Sequence, residues 1–178
     1  MIKIRIFSAA TIIMLVILTM TMIVSADEPP RSPWKTMTKS PDGSKCVISD
    51  PETNITTVYE IDDKTGNKLP LWSIVGWFRV THISNDGEHL VIGYDGMNLL
   101  PFNYWSNEPM LYFIHKGELI KHVTLDQLIK DPSKMTKAVS HYAWGNYVGF
   151  DDKGHFVVET CEGKRVFDPK TGEHAKTK

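Results

Sequence analysis

From Lys45 onward the chain alternates apolar and polar residues in short runs, broken at short intervals by glycine, aspartate, asparagine and proline. A period of two puts successive side chains on opposite faces of an extended strand, so the pattern predicts a β-rich fold. Ten strands follow from it: Cys46–Ile48, Thr57–Ile61, Leu69–Ser73, Phe78–Ile83, Leu90–Tyr94, Met110–Ile114, Leu119–Val123, Val148–Phe150, Phe156–Thr160 and Arg165–Phe167. Several turns also fix register. A two-residue Lys116-Gly117 loop pairs Ile114 with Leu119 and His115 with Glu118, the glycine supplying the positive φ that such a turn needs. By the same reasoning Asp86-Gly87 pairs Ile83 with Leu90, and Lys153-Gly154 pairs Phe150 with Val157. One short helix interrupts the strands. Thr124 and Gln127 form a capping box, Leu125, Leu128 and Ile129 make the apolar face, and Asp131-Pro132 stops it.

The turn phrases recur. KSPDGSKCVIS, beginning at Lys39, is echoed by ISNDGEHLVIG, beginning at Ile83, and the loop Ile61 to Gly66 is echoed by Phe167 to Gly172. Glycines 43, 87 and 154 are spaced 44 and 67 residues apart, and a spacing of 44 fits the four strands of a propeller blade. Ser40-Pro41-Asp42-Gly43 and Ser84-Asn85-Asp86-Gly87 resemble the Ser-Pro-Asp-Gly turn of WD40-like and TolB-like β-propeller repeats. The resemblance runs from Trp34 to Glu173 and implies a meander of blades. It does not extend to closure, because a propeller ring takes about four to eight blades and this chain offers three incomplete units without the Trp-Asp ending of true WD40 repeats. The expected fold is all-β with one short helix: an antiparallel meander of about ten strands, either partly propeller-like or a twisted sandwich or open barrel, with oligomerisation as one way to cover exposed edges.

The first 26 of the 178 residues read differently. Lys3 and Arg5 precede an apolar run, Phe7 to Ala26, that ends in Val24-Ser25-Ala26, the pattern of a secretory signal peptide. The run is also long enough to span a bilayer, so an uncleaved N-terminal anchor is the alternative, and either way the remainder is expected outside the cytoplasm. Residues 27–33 read as a flexible linker, 34–174 as a single β-rich domain and 175–178 as a disordered tail. Without Lys3 and Arg5 the 20 basic residues become 18, interspersed with 21 acidic ones. No basic stripe remains, so no nucleic-acid partner is expected. Cys46 and Cys161 are the only cysteines, and an oxidising compartment permits a disulfide between them; two thiols that never meet are the alternative.

Catalytic chemistry finds no recognisable set. The seven histidines are scattered without metal-ligand spacing, and there is no nucleophile elbow. The Asp62-Asp63 and Asp151-Asp152 pairs fall at hairpin tips, where turn chemistry explains them. No catalytic residue, metal or cofactor is therefore assigned. The unusual material lies in two long connections, GYDGMNLLPFNYWSNEP from Gly93 and SHYAWGNYVG from Ser140. Loops of that length in a compact fold are often functional. Their aromatics and amides, Tyr94, Asn98, Phe102, Tyr104, Trp105, His141, Tyr142, Trp144 and Tyr147, suit a protein partner or a small ligand. A satellite core capping the sheet is the competing explanation for the same residues. A hydrolytic or metal-dependent enzyme using His82, His89 or His141 with Asp95 is the rival function, and an accessory subunit completed by another chain is the third.

Overall fold

The computed structural model describes residues 32–175. Readings that concern residues 1–31 and 176–178, including cleavage or anchoring of the N-terminal segment, lie outside the described residues. The described chain is almost entirely antiparallel β-structure in four sheets, with no closed barrel. Three of the sheets are four-stranded meanders. The first is formed by β1 (Thr36–Lys39), β2 (Lys45–Asp50), β3 (Ile55–Ile61) and β4 (Lys68–Val75) in sequence order. The second orders β5 (Thr81–Ile83), β6 (His89–Gly93), β8 (Pro109–His115) and β9 (Glu118–Thr124), with β7 (Leu99–Pro101) diverted elsewhere. The fourth sheet begins after β10 (Thr136–Lys137) and β11 (His141–Ala143), and comprises β12 (Gly145–Phe150), β13 (Phe156–Thr160), β14 (Gly163–Asp168) and β15 (Glu173–His174). Strands β10, β11 and β7 form a small separate sheet. Each meander has the strand pattern of a propeller blade, and their first strands approach one another, β5 lying against both β1 and β12.

All ten expected strands are present, and the five additional ones are short or at edges: β1, β7, β10, β11 and β15. Runs of two to four residues carry too few alternations to show a period. The expected Phe78–Ile83 strand shortens to β5 because Gly76, at φ 128°, turns the chain first. A Cβ there would lie 2.6 Å from the Phe78 ring, so only glycine allows the approach.

Register follows the turns. Ile114 pairs with Leu119, His115 with Glu118 and Ile83 with Leu90, as the loop chemistry requires. Phe150 pairs with Phe156 rather than Val157. Asp151 closes a longer loop there: its Oδ1 accepts from the backbone N–H of Lys153 at 2.9 Å and of His155 at 2.8 Å. The side-chain pairings expected at these hairpins also shift. His115 meets Glu88 at 3.5 Å, not Glu118, and His155, which a two-residue Lys153-Gly154 loop would set opposite Asp152, meets Asp151 at 3.6 Å.

The middle meander has a core on each side. Val47 and Val58 from the first meander meet Leu90, Ile92 and Ile114 on one face. Val91, Leu111 and Phe113 pack on the other against Phe156, Val158 and Phe167, together with α1 (Leu125–Leu128). Strand β6 is consequently buried at every position, which is why its sequence reads as an apolar run rather than an alternation. Gln127 Oε1 accepts from Thr124 N at 2.9 Å in the expected capping box, and Leu125, Leu128 and Ile129 are buried as expected.

The disulfide does not form: Cys46 and Cys161 are both free. Cys46 lies on β2 of the first meander, while Cys161 follows β13 in the last, with the middle meander and its two cores between them. Disulfide bonding needs Cα atoms within about 7 Å, a distance this layering denies. Burial pushes both thiols above their ordinary pKa, so neither is an activated thiolate.

Candidate functional site

The antiparallel order sorts the connections onto two ends. At one end lie the opening hairpins of the three meanders, and those of the first two touch, Asp42 N donating to Asn85 Oδ1 at 3.2 Å. At the other lie the long connections, 94–108 and 125–144, together with the entry of the chain at Ser32. Cross-links knit this loop end. Trp144 Nε1 donates to Met97 O at 2.8 Å, and Arg79 Nε pairs with Asp95 at 3.1 Å.

The two expected loops do come together, through the pairing of β11 with β7, which sets Tyr142 opposite Leu100 and His141 opposite Pro101. Tyr142 is the hub of the resulting aromatic group. Phe102 packs edge-on to it at 5.2 Å and Tyr104 at 5.8 Å. The Lys137 ammonium sits 5.2 Å over the Phe102 ring, a cation–π contact at the rim that the loop composition did not reveal, because Lys137 arrives on β10. Trp105 is 71% exposed on the same connection and Phe102 is 46% exposed, while Asn98 is an exposed amide. His141 is half-buried, with Nδ1 3.1 Å from the Ser140 hydroxyl.

Three of the expected surface residues belong to the interior instead. Trp144 is fully buried in the larger core, where its ring meets Tyr147 at 5.2 Å. The Tyr147 hydroxyl accepts from Tyr94 N at 2.7 Å and donates to Met110 O at 3.0 Å, which consumes its polar tip internally. Burial raises the Tyr147 pKa well above that of a free phenol, so it stays protonated. Tyr94 is half-buried and packs on the same core. For Trp144, Tyr147 and Tyr94 the satellite-core explanation holds, whereas Phe102, Trp105 and Asn98 are exposed and Tyr104 and Tyr142 are partly so.

A second aromatic group at this end escaped the sequence reading. The Arg79 guanidinium lies 4.8 Å from the Trp34 ring and 5.1 Å from that of Trp77, and Trp77 Nε1 donates to Trp34 O at 2.9 Å. It ties the entering chain to the second meander. No sequence spacing relates residues 43 apart, so only the fold could reveal it.

The residues of the rival catalytic set stand as follows. Asp95 is engaged by Arg79, His89 by Asp86 at 3.2 Å, and His82 is packed between the rings of Phe156 at 5.2 Å and Tyr147 at 6.0 Å. Among the described residues no three His, Cys, Asp or Glu side chains are placed to hold a metal ion, and no helix is long and apolar enough to cross a membrane. The loop end offers apolar ring surface, a lysine over the Phe102 ring and exposed amides.

No family model matches the chain, and no curated protein does. Among solved structures the chain is similar to the periplasmic gluconolactonase of Pseudomonas aeruginosa, at 16% identity and a TM-score of 0.40, over 84% of this chain and 39% of that one.

Proposed function

We propose that this chain is an exported, non-enzymatic binding module whose protein partner docks on the loop end, with Trp105 and Phe102 as anchors beside Tyr104 and Tyr142. The observation that carries the reading is the 71% exposure of Trp105 on the same connection as Phe102 and Tyr104, which pack edge-on to Tyr142, on connections longer than their strands require. An exposed tryptophan next to packed aromatics, rimmed by a lysine and amides, has the composition of an interface core awaiting its partner. The test is cross-linking of the exported protein in its native cells, with the Trp105→Ala, Phe102→Ala double variant alongside. The variant is expected to fold and to lose the cross-linked species. Unchanged cross-linking would remove this surface from consideration.

A second reading has its own support. Strand β4 is an outer edge with Leu69, Leu71 and Val75 exposed, the kind of edge that a neighbouring chain covers. Sedimentation at micromolar concentration decides it, since a monomer that stays soluble needs no second chain to complete the sheet.

A further inference from the structure

At the hairpin end, away from the aromatic loops, the second and last meanders enclose a cleft of about 480 Å³ between their turns. That volume falls within the range of small-molecule sites. His89 forms part of its wall and is only 6% exposed. Val91, two residues further along β6, packs in the core shared with the last meander, so His89 faces the same way. Its Nδ1 lies 3.2 Å from Asp86 Oδ2, and its ring stacks on His115 with centroids 5.0 Å apart. Burial opposes ionisation of Asp86, yet the Ser84 hydroxyl and the Glu88 N–H outweigh it and hold that carboxyl below its usual range. Asp86 thus engages Nδ1 and leaves Nε2, the other ring nitrogen, for a ligand. Among the described residues Nε2 has no hydrogen-bond partner.

The last meander repeats the arrangement in the same cleft: His155 Nδ1 lies 3.6 Å from Asp151 Oδ2. Asp168 spends Oδ1 on Lys170 N at 2.9 Å and keeps its second oxygen for another donor. Lys153 and Lys170 are exposed at the rim, and among the described residues neither ammonium pairs with a carboxylate. Two lysines thus stand against three carboxylates, Asp86, Asp151 and Asp168. A strongly charged ligand of either sign meets like charge here. A hydroxyl, which donates and accepts at once, satisfies both kinds of group, and the Phe150 ring supplies an apolar floor for C–H faces.

We propose that this cleft binds a small neutral polyhydroxylated molecule, a sugar or sugar alcohol, whose hydroxyls hydrogen-bond with His89 Nε2, donate to Asp168 and accept from Lys153 and Lys170. The paired His–Asp turns hold these side chains in place before the ligand arrives, so little ordering accompanies binding.

The test is an NMR titration of the full chain with D-glucose, D-galactose, D-mannose and myo-inositol, following the imidazole protons of His89 and His155 and the ring protons of Phe150. At least one of these polyols is expected to move all three sets saturably in the millimolar range. The Lys153→Ala, Lys170→Ala double variant changes only exposed side chains and should retain the fold while weakening binding at least about fivefold, the loss of one ligand hydrogen bond. Trp105→Ala, at the opposite end, should leave binding unchanged, which keeps this inference separable from the loop-end reading. No saturable shift with any polyol, or binding indifferent to the lysine pair, overturns the proposal. So does saturable binding of inorganic phosphate in the absence of polyol binding, which would make the cleft an anion site.

Discussion

His82 illustrates how one residue's surroundings govern its chemistry. Packed against Phe156 and Tyr147, its ring is held neutral, because burial lowers its pKa from 6.5 to about 4. The unfolded chain takes up a proton at higher pH than the folded one, so the contribution of this group to stability is complete above about pH 6.5 and declines as pH falls toward 4. The slope is at most about 1.4 kcal/mol per pH unit. Denaturant titrations at pH 7 and pH 4.5 should reveal this loss, and His82→Phe should flatten it. Tyr147 supports a second expectation. Tyr147→Phe strands Tyr94 N–H and Met110 C=O in the interior, at a cost of about 1–3 kcal/mol. Chemical denaturation measures it; a change within error would mean that water reaches both groups. The sequence showed that Tyr147 was aromatic and near a glycine, but its two backbone partners lie 53 and 37 residues away, and no local pattern reports contacts of that span.

Elements were legible in proportion to how locally they are determined. The Lys116-Gly117 hairpin followed from two residues because both adopt positive φ, 47° and 93°, in a tight turn whose twist matches its strands. Gly117→Ala should therefore destabilise the fold by about 1 kcal/mol or more, read as a lowered denaturation midpoint. The hairpin at Asp151 defeated the same rule because a side chain, rather than the two central residues, sets its length. Asp151→Ala removes the acceptor for two backbone N–H groups and should cost about 1–2 kcal/mol, and the shift of register makes Phe156 and Val157 the amides to watch. The loop end was half legible. Composition singled out two connections, and the pairing of β11 with β7 unites them. Which aromatics turn inward depends on hydrogen bonds such as that from Trp144 Nε1 to Met97 O, and these exist only once the sheets have stacked.

At the scale of the molecule, three repeated meanders stand around adjoining first strands, and the two thiols belong to the first and the last of them. Titration of the denatured chain without reductant should count both Cys46 and Cys161 as free; recovery of neither would mean that the meanders open far enough to oxidise. The repeats look modular, but the middle one is not separable, because β6 contributes Val91 to one core and Leu90 and Ile92 to the other. Neither flanking meander can detach without uncovering a face of that strand. The amide protons of β6 therefore act as a clock for the whole structure. In heavy water they should be the last to exchange, at a rate set by complete unfolding and independent of whichever outer meander opens first. Three quasi-equal repeats are thereby bound to a single fate, and a lesion in either outer meander is felt at the centre as a shortened lifetime of the same five amides.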